Sequence, residues 1–371
     1  MTVTLLFTIG VRSIKNIINK MDIRMQKIGV WNYYEALNKE NYLLLNKDAG
    51  IGDDLLEPFC RLYSEGKANN IDFMTLDLVD NFNDISAFIF FDFPNMENKY
   101  VQKVFDLNTP KFLVIFESIL IKPDNWDLKN HQHFSKVFTW NKDLVDNEKY
   151  FHLPLPQRIK NAECLQLPLK KKLCTLIAGN KSSRHPLELY SKRIEAIRYF
   201  ENNHPNNFDL YGVGWNQINI SNKYLKLILN KFSWLNLLSP TYKSYVGKVG
   251  SKNKTLANYK FSICYENARD IPGYITEKIF DCFFAGCIPI YWGANDIAEY
   301  VPENCFIDKR NFDTYDSLYE FIESMSDKQY QEYLNNIIKF LNSDKILPFG
   351  SGNFCNVLIN HSKGIAHNNG H

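Results

Sequence analysis

No run of about 18 uninterrupted apolar residues occurs in this chain, so it offers no membrane-spanning helix. The apolar start at residues 3–7, VTLLF, precedes Arg12 and Lys15, the reverse of signal-peptide order, and reads as a first strand. An excess of either charge is also missing. Lys+Arg total 43 against 41 Asp+Glu, a net +2. Lys170, Lys171 and Lys172 form too short a cluster to change that, and nucleic-acid binding has no electrostatic support. There is no C-x-x-C among the eight cysteines, most of which lie in apolar runs. They read as buried reduced thiols, not as a disulfide framework or zinc site. The H-x-H of His131 and His133 lacks nearby cysteines or a third ligand, which leaves a metal site the weaker reading. The Asn-x-Ser/Thr triplets at Asn180, Asn219, Asn253 and Asn360 read as chance matches in an asparagine-rich chain. No P-loop, G-x-G-x-x-G, G-x-S-x-G, H-E-x-x-H or kinase signature is found.

What is present fits two domains. The chain has 371 residues, 45% of them hydrophobic, enough for two cores of ordinary size. Strands are predicted at 72–76, 87–91, 111–116 and 136–140, and helices at 55–66 and 98–107. Continuous apolar strands separated by helices argue a parallel sheet covered on both faces. Residues 151–172 carry Pro154, Pro156 and Pro168 and read as an extended linker. The alternation then restarts. Strands are predicted at 173–178, 208–212, 260–266 and 287–292, and helices at 184–202, 276–286, 317–325 and 328–342. Residues 216–250 resist assignment. The reading is α/β, with residues 1–160 and 161–345 as two facing domains and 346–371 as a tail, loose at its end.

Three places stand out chemically. The run CYENARDIPGYITEKIF, residues 264–280, puts Glu266 and Asn267 after an apolar strand and Thr276, Glu277 and Lys278 at a helix start. Thr276 suits an N-cap, and helix-start amides favour anions. A lysine in that first turn opposes the helix dipole, which makes sense if a doubly negative group such as a diphosphate binds there. A solvated lysine is the plainer alternative. Glu117 follows FLVIF directly, at the carboxyl end of a predicted buried strand, where α/β folds bind ligands. A sheltered carboxylate there can act as a general base; it can equally be an acid marking the strand exit. Arg193, on the helix after the first strand of the second half, could grip a diphosphate or simply face solvent. The glycines of GNKSS (179–183) and YGVGW (211–215) could admit a ligand close to the backbone. No two aspartates stand two apart, so the D-x-D through which many nucleotide-sugar enzymes hold a metal is missing. Any diphosphate would rest on Lys, Arg and helix-end amides.

Together these residues resemble the α1,3-fucosyltransferases of glycosyltransferase family 10. The resemblance is strongest over residues 250–312, where YITEK is followed by IPIYWG and then VPENCFID. A weaker match covers FLVIFES (112–118) and the helix around Arg193. The resemblance implies a GT-B fold, two Rossmann-like domains facing a central cleft, with the acceptor on the first and GDP-fucose on the second. It implies Glu117 as general base, and Arg193 and Lys278 on the diphosphate. It also implies Lys254, Asn267, Tyr274 and Glu277 along the donor site, Glu277 on donor hydroxyls. The loop between Asn267 and Tyr274 is one residue longer than the commoner family pattern. The implied reaction is an inverting, metal-independent transfer of L-fucose to a glycan containing N-acetylglucosamine, either N-acetyllactosamine-type or a lipopolysaccharide O-antigen. Alternatives are another GDP-deoxysugar as donor, or a non-catalytic nucleotide-sugar or glycan binder on the same fold. The expected setting is cytoplasmic, at the inner membrane face, in a bacterial or viral protein; a peripheral membrane contact stays open, without a strong amphipathic signal to favour it.

Overall fold

The computed structural model describes residues 25–47, 53–160, 172–216 and 241–366; the expected strand at 3–7 and half of the expected linker lie outside them. Six strands form the first sheet: Gln26–Asn32 (β1), Ile71–Thr75 (β2), Ala87–Phe91 (β3), Lys111–Val114 (β4), Lys136–Thr139 (β5) and Tyr150–His152 (β6). Their order is β2-β1-β3-β4-β5-β6, all parallel. The second sheet holds Lys172–Ile177 (β7), Phe208–Tyr211 (β8), Tyr245–Gly247 (β9), Tyr259–Tyr265 (β10), Ile288–Trp292 (β11) and Ile307–Asp308 (β12). Its order is β12-β11-β10-β7-β8-β9, again all parallel.

Each sheet therefore has one switch point, between β1 and β3 in the first and between β7 and β10 in the second. Chain connections leave in opposite directions there, which opens a crevice beyond the carboxyl ends of the strands. The continuous apolar runs AFIFF and FSICY are the central strands, buried on both faces as parallel sheets require. The β1 strand, QKIGVWN, carries no such run because Gly29 interrupts it. A Cβ there would lie 2.6 Å from the Phe88 ring of the neighbouring strand, so the residue that obscures the strand is the one that lets the sheet pack.

Two segments differ from expectation. Residues 184–202 were expected to be one helix, but the helix is Tyr190–Asn203 (α1). Pro186 and the residues after it pair instead with the loop leaving β10. Leu189 N–H donates to Asn267 O at 3.0 Å and Arg269 N–H to Leu187 O at 2.8 Å. This pairing places the start of α1 against the end of β10. The expected tail is largely a helix, Ser351–Ala366 (α2), and the end expected to be loose lies outside the described residues. It packs on the first sheet's side, with Phe354, Cys355, Leu358 and Ile359 in the same apolar cluster as Phe59, Phe91 and Phe112. Its apolar side chains recur at helical spacing, which drives burial of one face, and the tail's glycine content masks that pattern.

The two halves meet around Trp140, just beyond β5. Its ring lies 5.1 Å from the Tyr274 ring, centroid to centroid. Gly273 has a φ of 74°, and a Cβ there would come within 2.4 Å of Trp140 O. Only glycine accepts both the left-handed backbone and that approach. Lys142 reaches Glu299 at 3.1 Å across the same junction. Among the described residues, no helix is long and apolar enough to cross a membrane.

Candidate active site

The first switch point supplies a carboxylate held from two sides. Glu117 lies three residues beyond β4, partly buried. Its Oε1 accepts a hydrogen bond from the Tyr33 hydroxyl at 3.2 Å, and Tyr33 directly follows β1. Behind them, Asp92 follows β3 and is 1% exposed. Its Oδ1 accepts from Phe116 N–H (2.8 Å), Glu117 N–H (3.0 Å) and Asn125 Nδ2 (2.5 Å). Asp92 thus fixes the backbone that carries Glu117, from a left-handed conformation with φ 62°. Burial raises the Glu117 pKa, against the pull of Lys278 and of the Tyr33 hydrogen bond. Burial also pushes Asp92 up to about 7, with the Glu117 and Phe116 amides opposing and the Glu117 charge adding to it.

The second switch point supplies the cations. Glu277–Phe284 (α3) begins after the loop from β10, and Thr276 stands at its N-cap position. Its side chain does not cap the helix. The Thr276 hydroxyl donates instead to Glu266 Oε2 at 2.7 Å and its N–H to Glu266 Oε1 at 2.8 Å. Lys278 Nζ donates to Glu266 Oε2 at 3.0 Å and to Thr276 Oγ1 at 2.7 Å. Glu266 is fully buried, so this network fixes the lysine from below. The first amides of α3 keep no side-chain cap. Burial disfavours the Lys278 charge, but Glu266 and Glu277 outweigh it and raise its pKa. Burial likewise pushes Glu277 up, yet Lys278 and Lys252 hold it well below the usual carboxylate range.

The remaining sequence candidates divide. Asn267 and Tyr274 join the cluster: Asn267 Nδ2 donates to the Tyr274 hydroxyl at 3.5 Å, and Tyr274 is buried. Arg193 joins it from behind. The residue is 4% exposed, and its guanidinium Nη2 donates to Tyr265 O (2.6 Å), Glu266 O (2.9 Å) and Asn267 Oδ1 (3.2 Å). It therefore orders the end of β10 and adds positive charge beneath it. Lys254 is exposed on the short helix Lys252–Leu256. The lysine that reaches the cluster is Lys252, at 3.4 Å from Glu277 Oε1 and 2.9 Å from Asp281 Oδ2. Among residues that sequence reasoning passed over, Asp92 bore the same signal as Glu117: an acid directly after an apolar strand. Lys181 of the GNKSS loop is close enough for its charge to lower the Glu117 pKa. His131 is buried, with Nε2 2.7 Å from Asn125 O, while His133 is exposed, so the two form no metal-binding pair. Among the described residues, no group of three or more His, Cys, Asp or Glu is placed to hold a metal ion.

A half-buried carboxylate therefore faces a lysine, a buried arginine and uncapped helix amides across a cleft between two parallel sheets. Residues 167–357 match the model for the C-terminal part of glycosyltransferase family 10 (fucosyltransferase). The chain belongs to glycosyltransferase family 10. It is 34% identical over 96 residues to the α-(1,3)-fucosyltransferase FucT of Helicobacter pylori, covering 24% of this chain and 20% of that protein. It is 26% identical over 226 residues to GDP-fucose protein O-fucosyltransferase 3 of Gallus gallus, covering 57% of this chain and 46% of that protein. The matches thus span a fifth to under half of those relatives' lengths. Among solved structures, an α1,3-fucosyltransferase superposes with a TM-score of 0.51 at 17% identity, over 92% of this chain and 89% of that one. That likeness extends through the first domain and gives this family 10 glycosyltransferase its GT-B fold.

Proposed function

We propose that this glycosyltransferase moves L-fucose from GDP-fucose to a hydroxyl of an N-acetylglucosamine-containing glycan, as an inverting α1,3-transferase. The observation that carries the reading is the placing of Glu117 across the cleft from Lys278, near enough that the lysine's charge pulls the Glu117 pKa down against burial. A base on one wall and an anion-holding cluster on the other is what a single displacement needs. Glu117 takes the proton of the acceptor hydroxyl as its oxygen bonds to fucose C1. The bond from C1 to the diphosphate oxygen breaks at the same time, through an oxocarbenium-like state. The electron pair leaves with GDP, and Lys278, the α3 amides and the field of Arg193 meet the growing charge. These groups do the work that a metal does elsewhere, so the reaction is read as metal-independent. The chicken relative's name specifies GDP-fucose as donor, which supports the choice of nucleotide sugar.

The test is GDP release from GDP-fucose in the presence of EDTA, with a panel of N-acetyllactosamine and related glycans. Acceptor-dependent release with an α1,3 product supports the reading. Release that depends on added divalent metal, or GDP-fucose binding without turnover on any glycan, counts against it.

A further inference from the structure

Tyr190 opens α1 at the mouth of the second switch point and is 3% exposed. Its hydroxyl is buried and makes no hydrogen bond. A phenol hydroxyl withdrawn from water without a partner is costly, and such a group calls for an explanation. Its surroundings supply one. The Arg193 guanidinium lies over the Tyr190 ring, 5.1 Å from its centroid. The charges that act most on the hydroxyl are those of Arg193 and Lys278, with Glu117 next. Arginine and lysine only donate hydrogen bonds. A hydroxyl lodged beside two cations finds no acceptor in them, and what suits all three donors is an anionic oxygen. The start of α3, which bears Lys278, has no side-chain cap.

We propose that the Tyr190 hydroxyl is a donor-binding group that hydrogen-bonds a diphosphate oxygen of the nucleotide sugar, completing the anion site of Lys278 and the α3 amides. This rests on the reading of the site as one for a nucleoside diphosphate sugar. Burial keeps the phenol protonated at neutral pH, with Arg193 and Lys278 pulling the other way, so the group can donate.

The experiment compares the wild-type chain with Tyr190→Phe by isothermal titration with GDP and with GDP-fucose, alongside the melting temperature of the unliganded protein. Removing a hydroxyl that has no partner should leave that temperature unchanged or raise it. Loss of a bond to a charged oxygen should weaken GDP and GDP-fucose alike by about tenfold. A clear fall in the unliganded melting temperature would make the hydroxyl structural and overturn the proposal. So would unchanged affinity, or a loss confined to GDP-fucose, which would place the hydroxyl on the sugar. Failure of the wild type to bind GDP at all would instead remove the donor reading beneath it.

Discussion

The Tyr33 hydroxyl donates to Glu117 Oε1 at 3.2 Å, joining the ends of β1 and β4 across the strand between them. A hydrogen bond to a carboxylate favours its charged form, whereas burial disfavours it; both act on Glu117, and burial is the larger. Tyr33→Phe removes the favourable part. The pKa of Glu117 then rises, and more of it is protonated at a given acidic pH. The acid limb of the transfer rate should move to higher pH, with little change at the alkaline plateau. A pH profile of kcat/KM for both proteins checks this.

Much of that site was legible because apolar strands end abruptly in charged residues. AFIFF ends in Asp92 and FLVIF in Glu117, and the YITEK run marks the start of α3. Tyr33 was hidden because its strand is broken by Gly29. Lys252 and Lys254 both sit before β10, and which one turns toward Glu277 depends on the pitch of a five-residue helix. Thr276 looked like a cap because its position and type suit one, but the buried Glu266 competes for its hydroxyl and wins. The partnering of Arg193 with backbone carbonyls needed the pairing of residues 187–189 with the β10 loop, a contact about 80 residues apart in sequence.

Asp92 should couple stability to pH. Its native pKa of about 7 lies above its ordinary 3.8, so the folded chain binds this proton more tightly than the unfolded one. Its contribution is full below about pH 4 and is lost as pH rises through about 7. Asp92→Asn keeps an acceptor oxygen and tolerates the left-handed backbone but does not titrate. The stability difference between wild type and variant should shift toward the variant as pH rises over that window, as measured by urea unfolding. Asp92→Ala should cost about 1–3 kcal/mol for the donors left unpaired.

Gly273 is a point of close approach between the two halves. Gly273→Ala adds both a left-handed backbone penalty and a clash with Trp140 O, each costing about 1–3 kcal/mol. The variant should melt lower and lose transfer activity more than GDP affinity, because Trp140 packs on the first half and Lys278 stands on the second. Equal loss of both would mean that the donor site itself has collapsed.

The central claim is a division of labour, with the base on one sheet and the anion site on the other. It is tested most directly by measuring GDP binding and single-turnover transfer from GDP-fucose in Glu117→Gln and Lys278→Met. The account predicts that Glu117→Gln binds GDP as the wild type does, yet transfers at least a hundredfold more slowly. Lys278→Met should lose GDP affinity as well as rate. Transfer by Glu117→Gln at the wild-type rate would contradict the account.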